Sequence, residues 1–483
     1  MDTQLYIDNE QRAAESGATF ERLSPATGQA VTRSAAASVK DAVAAVESAH
    51  KAFGSWSQTG PLQRRALLLK AADELEKRGG DFIAAMKAEV GANDLWAGFN
   101  VYLAANCFRE AASLTTMLQG ETIPTEKPGT ISMTLRQPVG VILSMVPWNG
   151  AVVLAARAVA YPLACGNTVV LRASETSPRT HELIAQAVYA AGFPAGTLNF
   201  ITNDPADAPK VVEAMIAHPA VRRVNFTGST HVGRIIAETC GRHLKRCILE
   251  LGDKSPQVVL DDANIDDAVN AGVFGAFVYQ GQVCMTTERI VVDQKVADSY
   301  VAKFAAKASS LSVGDPVTAN DATLGPVINS SASTRLRGLL DDAVSKGAKL
   351  VAGGPGKDNM VPATVIDHVT PQMRIYKEET FGPIVSIIRA KDTDDAVRIA
   401  NDTEYGLTAS VFSSNVARAL DVARRIDTGT VHINGATVQN EAQAPFGGTK
   451  SSGYGRFDSR AVIDEFTELK WVTIEQSGQP YPF

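Results

Sequence analysis

Apolar residues recur at helical spacing between Val39 and Val90. Ala42, Val43, Val46 and Ala49 share one face, and after Pro61 the positions Leu67, Leu68, Ala71 and Leu75 repeat the pattern. This spacing predicts amphipathic helices covering the N-terminal part of the fold. From Val141 the texture changes. Short apolar runs alternate with helical patterns: Val141-Ile142-Leu143, Thr168-Val169-Val170-Leu171, Leu198-Asn199-Phe200-Ile201, Val224-Asn225-Phe226 and Cys247-Ile248-Leu249. Such alternation is the signature of a parallel, doubly wound sheet with helices on both faces.

A second alternation begins at Pro256-Gln257-Val258-Val259-Leu260, continues through a helix over Ile265 to Tyr279 and the run Arg289-Ile290-Val291-Val292, and reaches about Phe446. The expected fold class is α/β with two doubly wound domains. One comprises residues 1–121 and 140–249, the other residues 250–446. Two segments fit neither: 122–139, rich in Thr and Pro, and 464–483, which carries Lys470-Trp471-Val472-Thr473-Ile474. Both read as strands with nothing local to pair with, so a small β flap that pairs between subunits is expected there.

A chain of 483 residues is too long for one ordinary core. Hydrophobic residues at 45% and charged residues at 20% are ordinary values, and no apolar run approaches the roughly 20 residues of a membrane helix. The start, Met1-Asp2-Thr3-Gln4-Leu5, lacks the basic flank and apolar core of a signal peptide, so a cytoplasmic setting is expected. Cys107, Cys165, Cys240, Cys247 and Cys284 form no CxxC pair and seven histidines are scattered, which supports neither a disulfide framework nor a metal site. A net charge of -6 argues against a nucleic-acid footprint. Small molecules are the expected partners.

Three residue types then stand out. Cys284, in Gly281-Gln282-Val283-Cys284, follows a helical pattern; a cysteine taken alone is more often a buried small hydrophobe than a nucleophile, and a thiol of pKa about 8.5 needs a base or a positive setting to react. Glu250 closes the strand Cys247-Ile248-Leu249-Glu250. At the carboxyl end of a parallel strand it points toward the crevice where such sheets bind ligands, and an apolar setting there suits a carboxylate to general-base work. Asn149, in Pro147-Trp148-Asn149, also follows a strand end and is either a turn residue or an amide donor to a developing oxyanion. The stretch Phe226-Thr227-Gly228-Ser229-Thr230 reads as strand, glycine turn and helix start, a place where backbone N–H groups can meet a pyrophosphate. Glu175, just beyond the strand Thr168 to Leu171, is placed to accept from ribose hydroxyls, which favours NAD over NADP.

Together with Glu378-Glu379-Thr380-Phe381-Gly382-Pro383 and Pro445-Phe446-Gly447-Gly448, these motifs stand in the order found in the aldehyde dehydrogenase superfamily, which the chain resembles over nearly its whole length. The resemblance implies an NAD-binding Rossmann-like first domain, a catalytic second domain and oligomerisation strands at 122–139 and 464–483, with assembly into a homodimer or homotetramer. It implies that Cys284 attacks an aldehyde, that Asn149 and the Cys284 backbone N–H hold the oxyanion, and that Glu250 activates the water that hydrolyses the thioester. It implies contacts to NAD from Val146, Pro147, Trp148, Arg172, Ser174, Glu175, Gly228, Ser229, Leu251, Gly252, Glu379 and Phe381. No metal is implied.

Within the superfamily, Gln282 to Arg289 and the tail Gly453-Tyr454-Gly455-Arg456-Phe457 look most like bacterial aromatic aldehyde dehydrogenases acting on salicylaldehyde, vanillin or benzaldehyde, in aromatic-compound catabolism. A substrate pocket of Trp96, Gly150, Arg157, Val283, Met285 and Phe446 is expected: Gly150 leaves room beside Asn149, and Trp96 and Phe446 supply aromatic walls. Arg157 either faces the substrate ring or its phenolic oxygen, or sits in a structural ion pair. Three positions depart from the family's pattern. Arg172 stands for the usual lysine, so its planar fork changes the contact to the adenosine ribose. Asp253 stands for the second glycine after the base, where it either raises the pKa of Glu250 or restricts the loop. Phe457 stands where many relatives carry a glutamate, leaving Glu250 as the principal base. An aliphatic or semialdehyde dehydrogenase, an esterase, and a non-catalytic binding or structural homologue stay open as alternatives.

Overall fold

The computed structural model describes residues 1–319 and 321–483. Strands β1 (Asp2–Thr3), β2 (Leu5–Ile7), β3 (Glu10–Arg12), β4 (Thr19–Leu23) and β5 (Ala30–Ala35) precede helices α1 (Val39–Trp56), α2 (Pro61–Lys77), α3 (Gly79–Val90) and α4 (Asp94–Leu114). Strand β6 (Ile131–Pro138) leads into β7 (Val141–Met145), α5 (Ala151–Ala164), β8 (Thr168–Arg172), α6 (Pro178–Ala190), β9 (Leu198–Ile201), α7 (Ala208–Ala217), β10 (Val221–Thr227), α8 (Thr230–Arg242) and β11 (Arg246–Glu250). The second alternation is β12 (Pro256–Val259), α9 (Ile265–Phe277), β13 (Arg289–Asp293), α10 (Ala297–Ser309), α11 (Ser330–Ser345), β14 (Lys349–Ala352), β15 (Thr364–Asp367), α12 (Arg374–Lys377), β16 (Ile384–Ala390), α13 (Thr393–Asn401), β17 (Thr408–Phe412), α14 (Val416–Arg425) and β18 (Thr430–Ile433). The chain then passes through β19 (Gly453–Tyr454), α15 (Val462–Phe466) and β20 (Thr467–Ile474).

Two doubly wound sheets result. The first has the order β19-β11-β10-β7-β8-β9-β2-β3 and the second β14-β15-β16-β13-β12-β17-β18. In the first, β11, β10, β7, β8 and β9 run parallel, and their register sets Thr227 beside Glu250, Phe226 beside Met145 and Met145 beside Arg172. The functional loops therefore leave one edge of the sheet together. Strand β7, Val-Ile-Leu-Ser-Met, is buried at every position, as a strand covered on both faces must be. The segments β6 and β20 have no partner strand nearby in sequence, but within the chain they pair with each other, antiparallel, from Ile131 against Ile474 to Pro138 against Thr467. Sequence distance hid this pairing, since more than 300 residues separate the two strands along the chain. Among the described residues no helix is long and apolar enough to cross a membrane.

Candidate active site

The expected helix Ile265 to Tyr279 stops at Phe277, and the chain then makes a single tight turn in which Tyr279 (φ 50°), Gln280 (φ 45°) and Gly281 (φ 66°) are all left-handed. Non-glycine residues enter this region at a cost of order 1–3 kcal/mol each and stay only where neighbours over-determine them. Here they do. Tyr279 donates its hydroxyl to the Val90 carbonyl at 2.9 Å, and the Gln280 amide donates to the Gly91 and Pro326 carbonyls while accepting from Gly325 N–H. A Cβ on Gly281 would lie 2.4 Å from the Gly382 carbonyl oxygen, so both the backbone angle and the close approach require glycine. The turn delivers Cys284, which keeps part of its surface open.

Asn149 sits in the loop after β7, 5% exposed. Its side-chain amide donates to the Gln282 carbonyl at 3.1 Å, and its own carbonyl accepts from the Trp96 indole at 2.8 Å. One amide hydrogen is thus fixed by the cysteine loop, which leaves the other for a ligand. Trp96 is itself stacked on Tyr279, with centroids 5.4 Å apart and 10° between the planes. Glu250, at the end of β11, is 1% exposed, and neither of its carboxylate oxygens has a hydrogen-bond partner. Burial pushes its pKa up to about 7, against the attraction of Arg157. Burial and the Glu250 charge together push the Cys284 thiol up, again opposed by Arg157.

Cys284 and Asn149 lie between two cavities. One is a cleft of about 360 Å³ walled by Pro147, Trp148, Gly228, Ser229, Glu250, Leu251, Gly252, Glu379 and Phe381, with Leu154, Thr227 and Arg335 completing it. Val146, Arg172, Ser174 and Glu175 lie outside that wall; Arg172 and Glu175 pair with each other at 3.1 Å, and Arg172 Nε donates to Asn203 at 2.8 Å. The other cavity is a tunnel of about 30 Å³ that brings Trp96, Gly150, Arg157, Val283, Met285 and Phe446 together with Phe99, Leu103, Val153, Leu154 and Asn440. Phe99 and Leu103 fall three and seven residues after Trp96 on α4, a spacing that marks one helix face. Nothing in the sequence pattern pointed to Asn440 or Arg335.

The buried ion pair between Lys254 and Glu288, 2.7 Å, supports the cleft. Glu288 accepts from the N–H groups of Thr380 and Phe381 and Lys254 donates to Thr380 Oγ1, which holds Phe381 at φ 40° with its ring edge-on to Trp148 at 5.8 Å. Glu379, next to it, accepts from the Asp253 N–H at 3.1 Å, and burial raises its pKa to about 8. Asp253 restricts its loop: its carboxylate accepts from the N–H groups of Leu407 and Thr408, both at 3.1 Å, and from Ser255. Its charge also adds the smallest of the influences on Glu250. Arg157 is 1% exposed and lies 3.6 Å from Asp458, between the rings of Phe446 at 4.9 Å and Phe457 at 4.4 Å. It is thus both ion-paired and part of the tunnel wall.

Where a long anionic cofactor would lie, the residues fit it. Ser229, which lines the cleft, caps α8 by accepting from Val232 N–H, so the N-terminal end of this helix begins at the cleft wall. A Cβ on Gly252 would lie 2.8 Å from the Glu379 carboxylate, which lines the cleft, and one on Gly228 2.6 Å from the Phe226 ring, so neither position has room for a side chain. Among the described residues no group of His, Cys, Asp and Glu is arranged to hold a metal ion.

Comparison with known proteins extends this picture over the whole chain. The model of the aldehyde dehydrogenase family matches residues 12–472. The salicylaldehyde dehydrogenase of Pseudomonas sp. (strain C18) is 58% identical over 483 residues, 100% of either chain. The crystal structure of a salicylaldehyde dehydrogenase from Pseudomonas putida G7, complexed with salicylaldehyde, superposes with a TM-score of 0.99 at 57% identity, covering 100% of both chains. A betaine aldehyde dehydrogenase from Staphylococcus aureus in complex with NAD+ superposes with a TM-score of 0.95 at 29% identity, over 100% of this chain and 96% of that one.

Proposed function

Because the chain belongs to the aldehyde dehydrogenase family, we propose that it oxidises an aromatic aldehyde, with salicylaldehyde the first choice and vanillin or benzaldehyde next, to the carboxylate in an NAD-dependent reaction. The observation that carries this reading is the position of Cys284 and Asn149, shared by the cleft that holds Glu250 and Glu379 and by the apolar tunnel. A reactive carbon at Cys284 is then reached by an aldehyde from one side and by a cofactor from the other.

In this mechanism Cys284 Sγ attacks the aldehyde carbon as its proton passes to Glu250, whose pKa of about 7 suits it to accept and return protons at neutral pH. The new oxyanion is held by the free amide hydrogen of Asn149 and the Cys284 backbone N–H. Bound NAD supplies the acceptor for the hydride lost from that carbon. Pro147, Trp148, Gly228, Ser229, Leu251, Gly252, Glu379 and Phe381 would hold its nicotinamide and phosphate portions, with Val146, Arg172, Ser174 and Glu175 toward the adenosine. The acyl group left on Cys284 Sγ is a thioester; Glu250, once it has passed the thiol's proton to solvent, takes a proton from the water that attacks the acyl carbon, and as the C–S bond breaks that proton returns to Cys284 Sγ. The tunnel walls of Trp96, Phe99 and Phe446 favour a flat ring.

The proposal extends to a homodimer or homotetramer in the cytoplasm. Exposed Trp471, Leu469, Ile474 and Ile131 on the β6–β20 ribbon support assembly, which light scattering of the purified protein measures. Five free thiols support a reducing compartment.

Initial rates of NADH formation with salicylaldehyde, vanillin, benzaldehyde and propanal at fixed NAD test the reading, with Cys284→Ala as control. The expected result is a preference of tenfold or more in kcat/KM for the aromatic aldehydes, about 1.4 kcal/mol. Equal or better turnover of propanal overturns the aromatic assignment, and NADH formation by Cys284→Ala overturns the nucleophile.

A further inference from the structure

Outside the catalytic groove two further thiols pack into one corner of the fold. Cys240 lies buried in the last turn of α8 and Cys247 lies half-buried on β11, both as free thiols. Helix α8 packs on β11, and the turn between them is closed by the Lys245 N–H on the Cys240 carbonyl at 2.9 Å. Cys247 packs against the apolar cluster in which Cys240 is buried, and each thiol shifts the titration of the other. Cys247 Sγ also lies 3.0 Å from the Tyr454 hydroxyl, and it lines a surface cavity of about 350 Å³ together with Lys245, Arg246 and Tyr454.

The two thiols differ in a way that suits sequential chemistry. The neighbouring Cys240 thiol and the Tyr454 hydroxyl bring Cys247 down to a pKa of about 7, while the neighbouring Cys247 and burial push Cys240 up. An accessible thiolate beside a protonated, buried thiol is the arrangement of an attacking and a resolving cysteine. The cavity gives a small oxidant a route to the first and not to the second.

We propose that Cys240 and Cys247 form a dithiol that hydroperoxides oxidise to a disulfide bridging α8 and β11. The Cys247 thiolate attacks the peroxide oxygen: an S–O bond forms, the O–O bond breaks, and the alkoxide or hydroxide that leaves takes a proton from solvent. Cys240 then attacks the sulfenic sulfur. The S–S bond forms, the S–O bond breaks, and the departing hydroxyl carries off the Cys240 proton as water. Two thiols are oxidised by two electrons and one peroxide is reduced, with no other reactant.

The test uses full-length protein carrying Cys284→Ala, so that the catalytic thiol takes no part. After exposure to hydrogen peroxide and alkylation, tryptic digestion should yield the peptides Ile235–Arg242 and Cys247–Lys254 joined and two hydrogens lighter than their sum, at least tenfold above an unexposed sample. Cys247→Ser should abolish the joined species and leave Cys240 alkylated. Cys240→Ser should halt the reaction at Cys247 as a dimedone-trapped sulfenic acid. The same two serine variants with Cys284 intact should form NADH within about twofold of the parent, which shows that they fold. The proposal is overturned if both cysteines remain alkylated after peroxide, if Cys247 bridges to any thiol other than Cys240, or if sulfenic acid accumulates at Cys247 while Cys240 is present.

Discussion

The two cavities that meet at Cys284 are built from different material. The cleft, about 360 Å³, is made chiefly by strand ends and the loops that leave them, and it holds the buried carboxylate Glu250 and the half-buried Glu379. The tunnel, about 30 Å³, is made chiefly by side chains from α4 and α5 with the aromatic Phe446. Strand ends expose backbone donors and fix carboxylates in low dielectric, where proton transfer and anion binding take place. Helix faces offer only side-chain shape. The difference assigns chemistry to one side of the cysteine and choice of aldehyde to the other. Substitutions in the cleft should therefore slow every aldehyde alike, and substitutions in the tunnel should separate them.

The largest effect is expected at Glu250. Glu250→Gln keeps the shape and removes the base, so kcat should fall by about 10³-fold with salicylaldehyde and propanal alike. Because the pKa is raised to about 7, the carboxyl group is protonated and idle below that pH; kcat at saturating aldehyde should rise with pH through about 7 and level off above it. Rates measured from pH 5.5 to 8.5 should show this inflection in the parent and not in the variant. A fall confined to salicylaldehyde would break the division between the two sides.

Asn149 belongs to both cavities, and Asn149→Ala should cost about 10²-fold in kcat for all aldehydes, the usual loss for one oxyanion donor. Stopped-flow rates of the first turnover would show whether the loss falls on thioester formation, as expected.

The same division explains what was legible in the sequence. Cys284, Glu250, Asn149 and Ser229 follow strand or helix ends within short segments, so each stood out as a candidate among its own neighbours, and the family resemblance supplied its expected role. The tunnel is assembled from α4, α5 and the loop at Asn440, which lie far apart along the chain. Trp96 and Phe446 were recognisable as aromatic walls, but Asn440 carried no local signal. The supporting pair Lys254 and Glu288 and the left-handed Tyr279 and Gln280 were equally invisible, because a backbone angle forced by distant hydrogen bonds leaves no periodicity. The flap showed the same limit: β6 and β20 could be read as strands, yet their mutual register depends on folding.

Trp96 crosses the boundary and sharpens it. Its ring lines the tunnel while its indole N–H holds the Asn149 carbonyl at 2.8 Å. Trp96→Phe retains an aromatic wall and the stack on Tyr279 but removes the donor, leaving a buried carbonyl short of a partner at a cost of about 1.4 kcal/mol. A roughly tenfold fall in kcat is expected for propanal as well as for salicylaldehyde, with KM little changed. If instead KM rises for salicylaldehyde alone, Trp96 acts only as a wall.

The smallest effect belongs to Gly150. A Cβ there would lie 3.2 Å from Leu154 Cδ1 and 3.3 Å from Val153 Cγ1, and its φ of -112° is open to any residue. The backbone therefore tolerates alanine, and the strain falls on two side chains that line the tunnel. They must yield by a few tenths of an ångström into a space of only about 30 Å³, an overpacking of about 1 kcal/mol. Gly150→Ala should raise KM for salicylaldehyde about fivefold and leave propanal, which needs less width, within error of the parent. Equal effects on the two aldehydes would mean that the methyl group acts through Asn149 next to it, and that the tunnel does not choose the substrate.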